Sequence, residues 1–122
     1  MKTYSFEKLN VWQESRKLAL AVYKLTKKFP KDELFGMTSQ MRRCSISIAS
    51  NIAEGSGRHS PKDKARFTEI SYSSALELLN QIIISNDLEF INNEDYEMLR
   101  TTIDQITAML DGLYKSQLAQ VK

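Results

Sequence analysis

Proline and glycine are scarce in this chain: Pro30 and Pro61, with Gly36, Gly55, Gly57 and Gly112, are all that 122 residues contain. So few breakers exclude a turn-rich fold and favour long helices joined by a handful of connections. Cysteine occurs once, at Cys44, which excludes an internal disulfide and fits a reducing setting. That thiol falls in an apolar helical stripe and reads as buried and inert. Histidine also occurs once, at His59. A bundle di-iron site needs inward carboxylates with Glu-x-x-His pairs on facing helices, and the residue three before His59 is Ser56. No metal and no cofactor are therefore expected. Long apolar runs are missing as well. The densest, Ile82 to Ile84, is far short of the roughly 20 residues of a membrane span. The opening MKTYSFEKLN lacks the apolar stretch of a signal peptide, so a cytoplasmic location without membrane contact is expected.

What the chain does contain is helical periodicity. An apolar share of 42% and a charged share of 26% describe an ordinary folded domain, and the length suits a single one over residues 1–122. Four periodic segments are expected, at about 6–29, 37–54, 61–86 and 93–115. In the first, Leu9, Trp12, Arg16, Ala19, Tyr23, Thr26 and Phe29 fall near one face, beside a second stripe of Val11, Leu18, Val22 and Leu25. Pro30 stops it. The second carries Met37, Met41, Cys44, Ile48 and Ile52, and Gly55 stands where a left-handed C-cap residue is expected. Ser60 reads as the N-cap of the third, with Pro61 at its first position and Asp63 placed for a capping box. Asn92 reads as the N-cap of the fourth, whose stripe is Tyr96, Leu99, Ile103, Ile106, Leu110 and Leu113. Long helices with short connections pack as antiparallel neighbours. The expected fold is all-α: an up-and-down antiparallel four-helix bundle. The first and third helices carry more apolar surface than one bundle needs, which points to a homo-oligomer, and to a ring if the contacting patches differ.

Catalytic constellations are absent from the pattern. Cys44 has no histidine partner on its helix, and the serines Ser45, Ser47, Ser71, Ser73 and Ser74 have no second histidine to draw on. Small serines instead let two helices approach closely. Glu94, Asp95 and Glu97 read as a solvated helix start. No enzyme is expected. The turn GSGRH resembles a weak anion nest, although a C-cap followed by a turn is the better explanation of its glycines.

Charge is more informative. Residues 1–66 hold 14 Lys or Arg against 6 Asp or Glu, a net +8, whereas residues 67–122 hold 3 against 9, a net −6. Such asymmetry admits an anionic partner for the basic half, or complementary pairing within or between subunits. Arg42, Arg43, Arg58, His59, Lys62, Lys64 and Arg66 are the candidate contacts to RNA or DNA. The alternative is a scaffold whose partner is another protein.

The string QMRRCSISIASNIAEGSGR is more specific than any of these patterns. With FEKLNVWQESRKLALAVYKLTKKFP, the glutamate and glycine of ELFGMTSQ, Glu77 in the serine-rich third helix and the ending MLDGLYK, it resembles the four-helix-bundle proteins associated with intervening sequences in bacterial 23S ribosomal RNA genes. The resemblance implies a cytoplasmic bacterial bundle assembled as a homopentameric ring. The resemblance extends to accessory proteins of diversity-generating retroelements, which look like basic pentamers that bind nucleic acid and reverse transcriptase, and it implies a similar role here. Arg43, Asn51, Glu54, Gly55 and Glu77 match the family's characteristic polar and glycine positions. Their physical reading is structural, with Gly55 as a cap and Arg43 paired with Glu54 or Glu77. Cys44 stands where alanine is usual, and Ala49 where proline is common, so a straighter second helix is expected.

Overall fold

A computed structural model describes residues 1–122 as four helices and no strand: α1 (Asn10–Thr26), α2 (Ser39–Ser56), α3 (Pro61–Asp87) and α4 (Asn93–Leu118). Side-chain bonds between the elements fix the up-and-down order. Arg42 Nε donates to Thr26 Oγ1 at 2.9 Å, joining the end of α1 to the start of α2. Thr68 Oγ1 donates to Gln117 Oε1 at 2.7 Å, joining the start of α3 to the end of α4.

The core is one cluster fed by every helix. Val11, Leu18, Val22 and Leu25 come from α1, Met41, Cys44, Ile48 and Ile52 from α2, Ala75, Leu78 and Ile82 from α3, and Leu99, Ile103, Ile106 and Leu110 from α4. Steps of three and four residues keep each set on one face. Each large aliphatic side chain so buried contributes about 1.5–3 kcal/mol relative to exposure. Of the two stripes expected on α1, the one through Leu18 and Val22 faces the core. The other is mixed: Ala19, Thr26 and Phe29 are buried, whereas Trp12 is half-buried, edge-on to Phe6 at 5.0 Å, and Tyr23 is exposed.

The α2–α3 seam is closed by small residues. Ser71 Oγ donates to the Ile48 carbonyl at 2.8 Å, and the Ser47 and Ser74 hydroxyls meet at 2.8 Å. Ser15 and Ser45 are buried with their hydroxyls bonded back to Val11 and Arg42 carbonyls. The serines therefore serve packing, and each satisfies its own polar group.

Several boundaries differ from expectation. The first helix begins at Asn10, not near Phe6, because a separate 3-10 turn (Ser5–Lys8) precedes it and Leu9 is extended at ψ 125°. That turn closes on itself, the Tyr4 amide donating to Glu7 Oε2 at 2.7 Å. The helix ends at Thr26, and Lys27 to Phe29 tighten into i→i+3 bonds ahead of Pro30, whose ring disfavours helical backbone at the residue before it. Phe29 is nevertheless buried, packed on Phe90 at 5.3 Å. A wide π-type turn (Leu34–Thr38) delays α2 to Ser39; Gly36 is non-helical there, and the Glu33 carboxylate accepts the Met37 amide at 3.1 Å. From Ser39 to Ser56, α2 runs unbroken. Both expected N-caps are present: Ser60 accepts from the Asp63 amide at 3.1 Å, and Asn92 from Asp95 at 2.7 Å. Asp63 makes no return bond to Ser60. The last helix continues past Lys115 to Leu118.

Gly55 is not a C-cap. It lies inside α2, buried, and no glycine in the chain has positive φ. Its reason is proximity: a Cβ built there would stand 2.7 Å from the Cβ of Phe67 on α3. The helix is terminated two residues later at Gly57, with ordinary right-handed backbone.

Candidate nucleic-acid interface

The seven candidate contacts do not form one patch. Arg42 and Arg43 lie in the first turns of α2, and Arg58 follows its end, about 24 Å away at 1.5 Å per residue. The basic residues are thus divided between the two ends of the bundle.

At the α2 start the arginines have structural partners. Arg42 is half-buried, bonded to Thr26 and stacked over Tyr23 with its guanidinium 4.8 Å from the ring centre. Arg43 pairs with Glu77 at 2.6 Å and with Gln40 at 2.9 Å. The choice left open by the sequence is thereby settled: Arg43 meets Glu77 across the α2–α3 seam, and Glu54 makes no ion pair. Asn51 belongs to the same seam, its amide donating to the Ser47 carbonyl at 2.8 Å. Acidic residues crowd this end from the other half of the bundle, where Glu89, Glu94 and Glu97 are exposed.

Cys44 sits under the Arg43–Glu77 pair, fully buried, with Gln81 Nε2 at 3.4 Å and Arg43 Nη2 at 3.5 Å from its sulfur. Burial first, then the neighbouring Glu77 carboxylate, pushes the thiol up to about 11. The thiol as donor, and Arg43 beyond it, hold the Glu77 carboxyl below its ordinary range. Because the thiolate is the nucleophile, Cys44 is expected to resist alkylation in the native chain at neutral pH and to react at once in denaturant. Mass spectrometry after a timed iodoacetamide pulse checks this; equal labelling of native and denatured chains would refute the assignment.

The opposite end is different. Arg58, His59, Lys62 and Arg66 are all exposed in the α2–α3 turn and the first turns of α3, and none joins an ion pair. Arg58 lies over the Phe67 ring at 4.4 Å, which presents its charge in a fixed place. Lys64 is set apart from the group, its ammonium donating to the Ser56 carbonyl at 3.3 Å and so completing the C-terminus of α2. The anion-nest reading of GSGRH fails on geometry. A nest needs alternating right- and left-handed backbone, whereas Gly57 has φ −87° and the amides of Gly57 and Arg58 are bonded to Glu54 and Gly55 carbonyls at 3.2 and 3.1 Å. Side chains, not backbone amides, carry this surface.

Antiparallel order brings a cation from the far end of the chain to this end of the bundle, but one that is already paired. The Thr68–Gln117 bond places the end of α4 beside the first turns of α3, and Lys115 there is bridged to Asp111 at 2.8 Å. The up-and-down topology was the signal for that neighbour. No group of three or more His, Cys, Asp or Glu is arranged to hold a metal ion, and no helix is long and apolar enough to cross a membrane.

Residues 7–112 match the family model described as 23S rRNA-intervening sequence protein. The fold is similar to a crystal structure from Bacteroides thetaiotaomicron, described as a protein of unknown function from the S23 ribosomal protein family. The identity is 25%, the TM-score 0.78, and the match covers 86% of this chain and 98% of that one. Among curated proteins none matches significantly.

Proposed function

We propose, from the premise that this chain belongs to the 23S rRNA-intervening sequence protein family, that it is a non-catalytic, self-assembling helical bundle of the bacterial cytoplasm that binds RNA or DNA as an accessory protein. One observation carries the nucleic-acid reading: Arg58, His59, Lys62 and Arg66 gather at one end of the bundle, exposed and without carboxylate partners. Such a surface contacts phosphates and reads no base edges, so binding is salt-dependent and poor in sequence preference. A ring, pentameric as the family resemblance implies, would repeat that end around an axis and multiply weak contacts.

Fluorescence anisotropy with structured RNA and with DNA across a salt series tests this. The logarithm of the affinity should fall linearly with the logarithm of salt. Lys62→Glu with Arg66→Glu should flatten that slope by about 0.9 for each phosphate no longer neutralised. Arg42→Glu should instead loosen the α1–α2 connection. Absence of binding at low salt to both nucleic acids would end the proposal.

A second reading, docking to another protein, is favoured by a different observation. Phe35 projects from the turn before α2 with 91% of its surface exposed, and Leu20 and Ile46 flank an apolar groove between α1 and α2 that also holds Trp12 and Ala49. Monomers rarely leave such surface wet. Native mass measured with the absorbance ratio separates the readings, since an assembly free of nucleic acid that retains a protein partner supports the second alone.

A further inference from the structure

The chain covers most of its tyrosines with its own cations. The Lys2 ammonium lies 4.9 Å from the Tyr4 ring centre, the Arg42 guanidinium 4.8 Å from Tyr23, and the Arg100 guanidinium 5.6 Å from Tyr96. Trp12 and Phe67 receive Arg16 and Arg58 in the same way. Of the five tyrosines, only Tyr72 and Tyr114 have no cation over the ring.

Those two rings are half-buried and line the same hollow, of about 170 Å³, between α3 and α4. Glu69 and Asp111 line it too, and buried Thr68 and Leu110 form its base. No basic residue lines it. Glu69 makes no ion pair, and Asp111 is bridged only to Lys115, at 2.8 Å, whose side chain is 74% exposed. The Thr68 hydroxyl is already bonded to Gln117, so the base has no donor left to offer an anion.

Aromatic faces and carboxylates both attract positive charge, and each does so more strongly where a concave wall excludes part of the solvent. An anion would be repelled here. Two carboxylates flanked by tyrosines fall short of a dedicated metal cage, and no group of three or more His, Cys, Asp or Glu gathers there. A flat or alkylated cation satisfies the rings and the carboxylates together. We propose that the α3–α4 hollow is a binding site for an organic cation, a guanidinium or an alkylammonium group, either free in solution or carried on a basic side chain of a second copy of this chain. The net charge of +8 in residues 1–66 makes a second copy an abundant source of such groups. The site is independent of nucleic-acid binding.

Titration with ethylguanidinium, followed by the ring signals of Tyr72 and Tyr114 in NMR with native mass measured alongside, tests it. Saturable shifts are expected with a dissociation constant of about 1–10 mM, weakened by salt. Glu69→Gln with Asp111→Asn should weaken binding about tenfold or more; both residues are exposed, so the fold does not depend on them. N-ethylurea, similar in shape and neutral, should give no saturable shift. If a second copy already fills the site, the same double substitution lowers the native mass, and ethylguanidinium lowers it by competition. An equal response to the urea overturns the proposal. So does a sample whose tyrosines ignore the cation and whose mass ignores the double substitution.

Discussion

Replacing Gly55 by alanine is expected to destabilise the bundle, although alanine is the better helix former. The glycine sits within α2 and is buried, and an added Cβ would stand 2.7 Å from Phe67 Cβ and 3.5 Å from the Lys64 carbonyl. Both neighbours belong to the α3 framework and cannot rotate away. The helices must part locally, at a cost of about 1–3 kcal/mol for overpacking. Alanine in place of glycine within a helix returns about 0.8–1 kcal/mol of that. Gly55→Leu, with more volume and no greater return, should reach the top of the range, about 3 kcal/mol. Gly112 supplies the control. It is also within a helix, but nothing lies within 4 Å of a Cβ built there, so Gly112→Ala should stabilise by about 0.8–1 kcal/mol. Urea denaturation of the variants at one protein concentration measures the difference. If Gly55→Ala stabilised as Gly112→Ala does, the close α2–α3 approach would be wrong. Because Phe67 supports Arg58 at 4.4 Å, a displaced seam would also disturb the basic end.

Two isoleucines on α2 should behave in opposite ways. Ile48 is fully buried, and its carbonyl receives the Ser71 hydroxyl at 2.8 Å. Ile48→Ala removes core methyl groups and leaves a cavity that three neighbouring helices cannot refill, so a loss of about 2–5 kcal/mol is expected. Ile46, two residues earlier, is 45% exposed beside the α1–α2 groove. Ile46→Ala should change the stability of the single bundle by no more than about 0.5 kcal/mol. Its effect should appear in the native mass if copies meet on that groove. Thermal melts at two protein concentrations distinguish these cases, because stability gained from assembly depends on concentration. A large, concentration-independent loss at Ile46 would place that side chain in the core and contradict the burial pattern.

The candidate interface was only partly legible in the chain. Lys62, His59, Arg58 and Arg66 are near one another in sequence and remain so in space, because one turn joins the helices that carry them. Arg42 and Arg43 precede that turn by the full length of α2, and a helix converts that separation into distance. Lys64 points back onto the α2 terminus instead of outward, a matter of one side chain's direction that composition does not encode. Glu54 and Glu77 were equivalent partners for Arg43 as charges. The α2–α3 pairing selected Glu77, since a residue on the facing helix at the same height lies closer than one three turns along the same helix.

By itself the sequence determined the helices, their caps at Ser60 and Asn92, and the core stripes Met41–Cys44–Ile48–Ile52 and Leu99–Ile103–Ile106–Leu110. These are local properties, set by backbone sterics, a side-chain oxygen within reach of a free amide, and the 3.6-residue repeat. Tertiary structure alone decided which residues of the Leu9–Phe29 stripe on α1 were buried, why residue 55 is glycine, and which tyrosines were left without a cation. Each depends on how near one helix comes to another, and that distance is fixed only when all four pack at once.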